Sequence, residues 1–162
     1  MYRWQEKKRM DEHGVTLRGE FVAVMARAAG LTLSDGAHLF PDIADHWAAE
    51  YINAMVDAGW IEGFDDGTFR PNRVTTRAEA AAIINRVLHR LPQSVDSLLP
   101  NMVTWPDNMN VNSWHYLYIQ EATNSHTHTD SPDGYENWVE LLPPRNWAVL
   151  ERPNARPEDI LS

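Results

Sequence analysis

Apolar positions recur along this chain at two spacings, one suited to helices and one to a strand pair. Over residues 76 to 91 the apolar positions 80, 83, 84, 87 and 91 share one face at a 3.6-residue period, which predicts a helix. Thr76-Arg77-Ala78-Glu79 opens it with a capping box, in which the Thr76 hydroxyl accepts from the third residue's amide and Glu79 reaches back. Phe21, Val24, Met25 and Ala28 predict a sister helix over residues 19 to 29, with a weaker cap because Leu17 stands where Thr76 does. A helix of another kind is expected over residues 46 to 58. Asp45 would be its N-cap, Trp47, Tyr51, Met55 and Ala58 its apolar stripe, and Gly59 its stop. Between these helices the stretch Gly63 to Asn72 is rich in turn residues, with room only for a strand of two or three residues around Thr68 and Phe69. Near the C-terminus, residues 123 to 129 and 135 to 140 are expected to pair as a β-hairpin around Ser131-Pro132-Asp133-Gly134, and Pro143-Pro144 ends its second strand.

The elements repeat. Thr16-Leu17-Arg18-Gly19-Glu20-Phe21 returns as Thr75-Thr76-Arg77-Ala78-Glu79-Ala80, and Val24, Met25 and Arg27 return as Ile83, Ile84 and Arg86, all at an offset of 59. Phe40-Pro41-Asp42 returns as Trp105-Pro106-Asp107 at an offset of 65, and Trp47, Tyr51 and Ile52 return as Trp114, Tyr118 and Ile119 at 67. Small changes of offset are what loop insertions between stacked repeats produce. A unit of helix, glycine-rich loop and capped helix is too small to bury its own faces, so neighbouring units are expected to stack.

Composition narrows the function. With 162 residues, the chain fits one domain or a compact array of smaller units, and 43% hydrophobic residues suffice for a core. A net charge of -9 argues against a nucleic-acid partner, which would need a clustered basic surface. Lys7 and Lys8 are the only lysines among 14 basic residues. The rest are arginines, the side chain suited to planar carboxylates, so a local anion site is compatible with the acidic whole. Without cysteine there are no disulfides, thiolate metal sites or thiol catalysis. No apolar run reaches the roughly 18 residues of a membrane span, so no membrane insertion is expected. Residues 1 to 14 are polar and charged and do not read as a secretory signal; a surface protein of this sequence would be a fragment or have a misplaced start. The oligomeric state is left open.

Phe40-Pro41-Asp42-Ile43, His46-Trp47-Ala48-Ala49 and Tyr51-Ile52, followed by Gly59, Ile61, Gly63-Phe64, Asp66-Gly67-Thr68-Phe69-Arg70-Pro71-Asn72 and Thr76-Arg77-Ala78-Glu79, resemble an S-layer homology repeat over residues 40 to 90. Residues 16 to 31 resemble the last helix of a preceding repeat, and 104 to 123 the opening of a third that then diverges. The resemblance implies a mainly α fold, a pseudo-repeat helical bundle with short loops, here with a C-terminal hairpin. It divides the chain into a partial first and a complete second repeat (1–91), a linker (92–103), a diverged third repeat (104–150) and a tail (151–162), all in one module. It further implies a non-catalytic, extracellular anchor that binds cell-wall polysaccharide, often capped by a pyruvylated sugar, without cofactor or metal. The arginine of the Thr-Arg-Ala-Glu motif is a ligand contact in this family, which points to Arg77 and, less directly, to Arg18. A guanidinium in the first turn of a helix suits a ketal carboxylate. Trp47 would offer an apolar face to a sugar ring, and Gly67 would let the loop turn sharply or approach a ligand closely.

Other readings stand beside these. The apolar stripe favours Trp47 and Trp114 as core residues rather than sugar platforms. Asp42, Asp107, Asp65 and Asp66 read as turn or cap groups, and Glu79 as a capping partner rather than a base. The missing halves of the first and third repeats favour a structural or protein-interaction domain that has lost its glycan. In the hairpin, strand periodicity puts His126, His128 and Asp130 on one face, where they could ligate a divalent metal and serve a metal-dependent hydrolase. No activating base or His-Glu-x-x-His motif accompanies them, and exposed hairpins often carry such polar runs, which is the preferred reading. Trp147 and Leu150 are expected to dock back onto the core.

Overall fold

The computed structural model describes residues 16–34 and 39–143. The expected docking of Trp147 and Leu150, the tail and the N-terminal 15 residues lie outside them. The fold is mainly α with a C-terminal hairpin: α1 (Arg18–Ala28), α2 (Ala49–Asp57), α3 (Arg77–Leu88), α4 (Tyr116–Thr123), β1 (His126–Asp130) and β2 (Glu136–Leu141). Two compact units divide at His89 and Arg90.

In the first unit, α1 and α3 begin side by side. Leu17 and Val74 form an antiparallel bridge, Thr75 N donates to Thr16 O, and the Arg18 and Gly19 amides donate to Arg73 O and Pro71 O. The free amides that open α1 are thus satisfied by the loop that leads into α3, rather than by a side-chain cap. Leu17 does lack a side-chain cap bond, although Glu20 still reaches back to its amide at 3.1 Å. At α3 the full capping box forms between Thr76 and Glu79. This helix ends three residues short of the periodicity, because His89 turns left-handed at φ 54°.

Helix α2 also departs from expectation. It starts at Ala49 rather than 46, with Ala48 as N-cap, and Asp45 does not cap it. The His46 Nδ1 instead accepts the Ala48 amide at 3.2 Å. Gly59 stops the helix as expected, at φ 73°. The three-residue delay changes the buried face. Ala48, Ala49, Ile52 and Met55 enter the core with Val22, Ala26, Ile43, Ile61, Phe69 and Ile83, while Trp47, on the turn before the helix, does not.

No strand forms at Thr68 and Phe69. The loop is closed by Phe64 N to Thr68 O and Gly67 N to Phe64 O. It is then tied to the opening of the repeat: the Asp42 carboxylate accepts the Phe69 amide at 2.9 Å and the Arg70 amide at 2.7 Å. Asp42 therefore caps a segment 27 residues away rather than only its own turn. Phe40 packs on Phe69 with ring centroids 5.5 Å apart and lies so close to Gly63 that a Cβ there would overlap its ring. Gly63→Ala should cost about 1–3 kcal/mol, the usual penalty for overpacking a filled site. Urea unfolding would measure it, and a neutral result would mean that Phe40 moves aside freely.

The second unit repeats the opening of the first. The 3-10 turn Pro106–Asn108 has an N-cap at φ -122° and ψ 139°, against -128° and 137° for the turn Pro41–Ile43. Its core is much more polar. Tyr116, Ile119 and Trp138 are buried together with Asn108, Gln120, Glu121, Asn124, His126 and Glu136. Residues 92 to 103 hold a further 3-10 turn, Val95–Ser97, and Pro92 bridges to Glu136. The hairpin strands pair antiparallel from His126↔Leu141 to Asp130↔Glu136, with a bulge at Thr127/His128.

Candidate functional site

Four residues were singled out by sequence: Arg77, Trp47, Gly67 and Arg18. Three of them lie around the adjoining N-termini of α1 and α3 or on the loop between α2 and α3. Arg77 is the first residue of α3 and is exposed. Gly67 holds φ 78°, a backbone region that a Cβ disfavours, and so makes the loop's sharp turn. Nothing lies within 4 Å of the position its Cβ would take.

Arg18 is placed differently from its repeat mate. Although it also opens a helix, it is buried, donating to Glu62 O at 2.7 Å and pairing with Glu79 at 3.2 Å. Its guanidinium lies over Phe69 at 4.6 Å and Phe64 at 5.1 Å. Arg73 and Arg70 also stack on Phe64, at 5.1 and 4.2 Å. Three guanidiniums on one ring require carboxylates nearby. Glu79 pairs with Arg18 and Arg73, and Asp66 pairs with Arg70 at 2.6 Å. Glu79 is thus more than a capping residue, because it also neutralises this cluster. Burial pushes its carboxyl upward, but the Thr76 amide and hydroxyl and the two guanidiniums outweigh that and hold it below the usual range. Hydrogen bonds from Thr68 and Arg70 lower the exposed Asp66 to about 2. Arg70 and Arg73 were not foreseen as partners, since the contact depends on how the loop folds back.

Trp47 corrects the expectation drawn from the helix stripe: it is 44% exposed. Its ring meets His46 at 5.6 Å and the edge of Tyr51 at 6.5 Å. His46 in turn contacts Asn72 at 3.3 Å and lies against Gly19, which brings the approach to α2 beside the loop and the start of α1. Trp114 is likewise exposed, at 62%, rather than core. It lies 6.3 Å from Tyr118 at an interplanar angle of 60°, close to the 64° of Trp47 and Tyr51. The same surface aromatic pair is therefore built in both units.

The hairpin histidines fall in a second cluster. His126 is buried and stacks on Trp138 at 4.0 Å, and His128 is on the rim. Asp130, expected beside them, is solvent-exposed and 3.6 Å from His128. The carboxylates that approach the imidazoles are instead Glu136 and Glu121, both buried. They were hidden because Glu121 belongs to α4 and Glu136 is brought opposite β1 only by the strand register. Glu121 accepts from Trp138 Nε1 at 2.8 Å, and Arg90 pairs with both carboxylates. Burial would lower the His126 imidazole, but hydrogen bonds to Glu121 and to the Asn124 carbonyl, with the Glu121 charge, raise it overall. Among the described residues His126, His128 and Glu136 could hold a metal ion.

Comparison with known proteins agrees with the order of elements. Residues 39–81 match the S-layer homology domain model. Over 101 residues the chain is 40% identical to a cellulosome-anchoring protein of Acetivibrio thermocellus, covering 62% of this chain and 21% of that protein. It is 32% identical over 120 residues to cell surface glycoprotein 1 of the same organism, covering 74% and 5%, and 35% identical over 82 residues to S-layer protein sap of Bacillus anthracis, covering 50% and 10%. The chain thus spans between 5% and 21% of these relatives' lengths. No helix among the described residues is long and apolar enough to cross a membrane. Phe40-Pro41-Asp42, the loop that Asp42 holds and the start of the capped helix α3 are one folded unit, and over residues 39–81 this chain is an S-layer homology domain.

Proposed function

We propose that this chain is a non-catalytic anchoring module that holds its parent protein to a bacterial wall polysaccharide outside the cell. The observation that carries the reading is the exposure of Trp47, a large ring kept at the surface where the same chain had apolar volume to bury. Aromatic faces with few rotatable bonds suit sugar rings. Arg77, in the first turn of α3, supplies a guanidinium where helix amides and dipole already favour an anion, which suits a pyruvylated sugar's carboxylate. Gly67 shapes the loop between α2 and α3. Arg18, paired with Glu79, supports the site from below rather than contacting the ligand. The relatives' names, cellulosome-anchoring and cell surface, support the same reading.

The test is co-sedimentation with protein-free cell walls, before and after removal of their pyruvylated polysaccharide. Trp47→Ala and Arg77→Ala should each abolish or strongly weaken binding while changing stability by less than about 1 kcal/mol, as surface substitutions do. Unchanged binding in both variants would end the site assignment. No binding by the folded parent chain would leave a structural role for the module.

A further inference from the structure

We propose that His126, His128, Glu136 and Glu121 form a closed divalent-metal site of the zinc class, at a position that the guanidinium of Arg90 otherwise fills. The site lies in the second unit and is independent of the anchoring surface proposed above.

The imidazole of His126 is already oriented as a ligand. Its Nδ1 is 2.7 Å from the Asn124 carbonyl, which can only accept, so Nδ1 carries the hydrogen and Nε2 points into the cluster. A ring held by a backbone carbonyl in this way is the usual support of a metal-bound histidine. Three donor pairs already approach the spacing of such a site. Four ligands bonded to zinc at about 2.0–2.1 Å in a tetrahedron lie about 3.3–3.4 Å from one another. His126 Nε2 is 3.3 Å from Glu121 Oε2 and 3.5 Å from Glu136 Oε2, and His128 Nε2 is 3.4 Å from Glu136 Oε1. Ligand atoms of His126, His128 and Glu136 all fall within 4.8 Å of one another.

Arg90 shows where a cation is stable. Its Nη2 is 3.0 Å from His126 Nε2, 3.0 Å from Glu121 Oε1, 3.3 Å from Glu136 Oε2 and 3.5 Å from His128 Nδ1. This guanidinium nitrogen is surrounded by the four side chains proposed as ligands, His128 meeting it through Nδ1 while its Nε2 faces Glu136. The two carboxylates together carry the charge that one divalent ion balances. The Arg90 side chain is 37% exposed, so it has a route into solvent. Two imidazoles and two carboxylates favour zinc, cobalt or nickel over magnesium or calcium, which prefer all-oxygen shells. Four protein donors leave no open position for substrate, so the ion would have a structural part, joining α4, β1 and β2 where apolar burial is sparse.

The full chain, titrated with cobalt, is expected to develop the visible absorption of a tetrahedral site, and zinc should displace it. His128→Ala, a rim substitution, should weaken cobalt binding by at least about tenfold, as even outer-shell losses do. Arg90→Gln should strengthen it, because the competing cation is gone. Circular dichroism would check that each variant folds; if Arg90→Gln does not, the parent and His128→Ala decide between them. No tetrahedral spectrum in the folded parent or in folded Arg90→Gln, or a spectrum unaffected by His128→Ala, would overturn the site and leave an ion-pair network alone.

Discussion

Phe69→Ala is expected to destabilise the first unit by about 3–5 kcal/mol, the range for truncating a buried aromatic. Phe69 is fully buried in the cluster that contains Ile43, Ile52, Met55 and Ile83. Its ring supports Arg18 on one side and packs on Phe40, and its amide is one of the two held by Asp42. Truncation would leave a cavity between two halves of the repeat and remove the surface over which a buried guanidinium lies. The loss would also spread outward, because the loop carrying Gly67 is held to the core only a few residues from Phe69. Chemical unfolding followed by tryptophan fluorescence would measure it. A loss below about 1 kcal/mol would mean that the loop is docked by Asp42 alone.

Glu79→Gln comes next, at about 3 kcal/mol, near the lower end for breaking a largely buried ion pair from one side. The amide could keep one capping contact with Thr76 but would leave Arg18 and Arg73 without their shared carboxylate. The same group predicts a pH dependence. Its carboxyl is held below the ordinary range in the folded state, so the unfolded chain takes up the proton first as the solution is acidified. The stabilisation is therefore full above the unfolded value, about 4.3, and is lost as pH falls through the lower folded value. Asp66, lowered to about 2, adds to the loss in the same direction. Parent and Glu79→Gln should thus differ most near neutrality and converge in acid. Parallel unfolding curves separated by a constant amount from pH 6 to pH 2 would show that the charge contributes nothing.

How legible each feature was depended on how far apart in sequence its parts lie. The capping box, the stop at Gly59 and the existence of the hairpin were readable because each involves partners within a few residues or one turn. The first strand, however, begins at His126 rather than 123, since Thr123 still belongs to α4. Trp47 was misplaced because its phase was extrapolated from a helix thought to begin at 46. A three-residue delay, set by His46 accepting the Ala48 amide, takes a side chain off the stripe, since each residue rotates the face by about 100°. Repetition was more robust than periodicity: the offset of 67 between Trp47-Tyr51 and Trp114-Tyr118 predicted two equivalent pairs, whatever their burial.

The sequence by itself determined the mainly α class, the repeat, the turn glycines and the S-layer homology motif, because these are written in local chemistry and its recurrence. Only the tertiary structure decided which charges meet. Arg18 meets Phe64 and Glu79, and Arg90 meets Glu136, because loops and strands fold back over tens of residues. A buried charge must find a partner within a few ångströms, but that requirement does not say where along the chain the partner comes from.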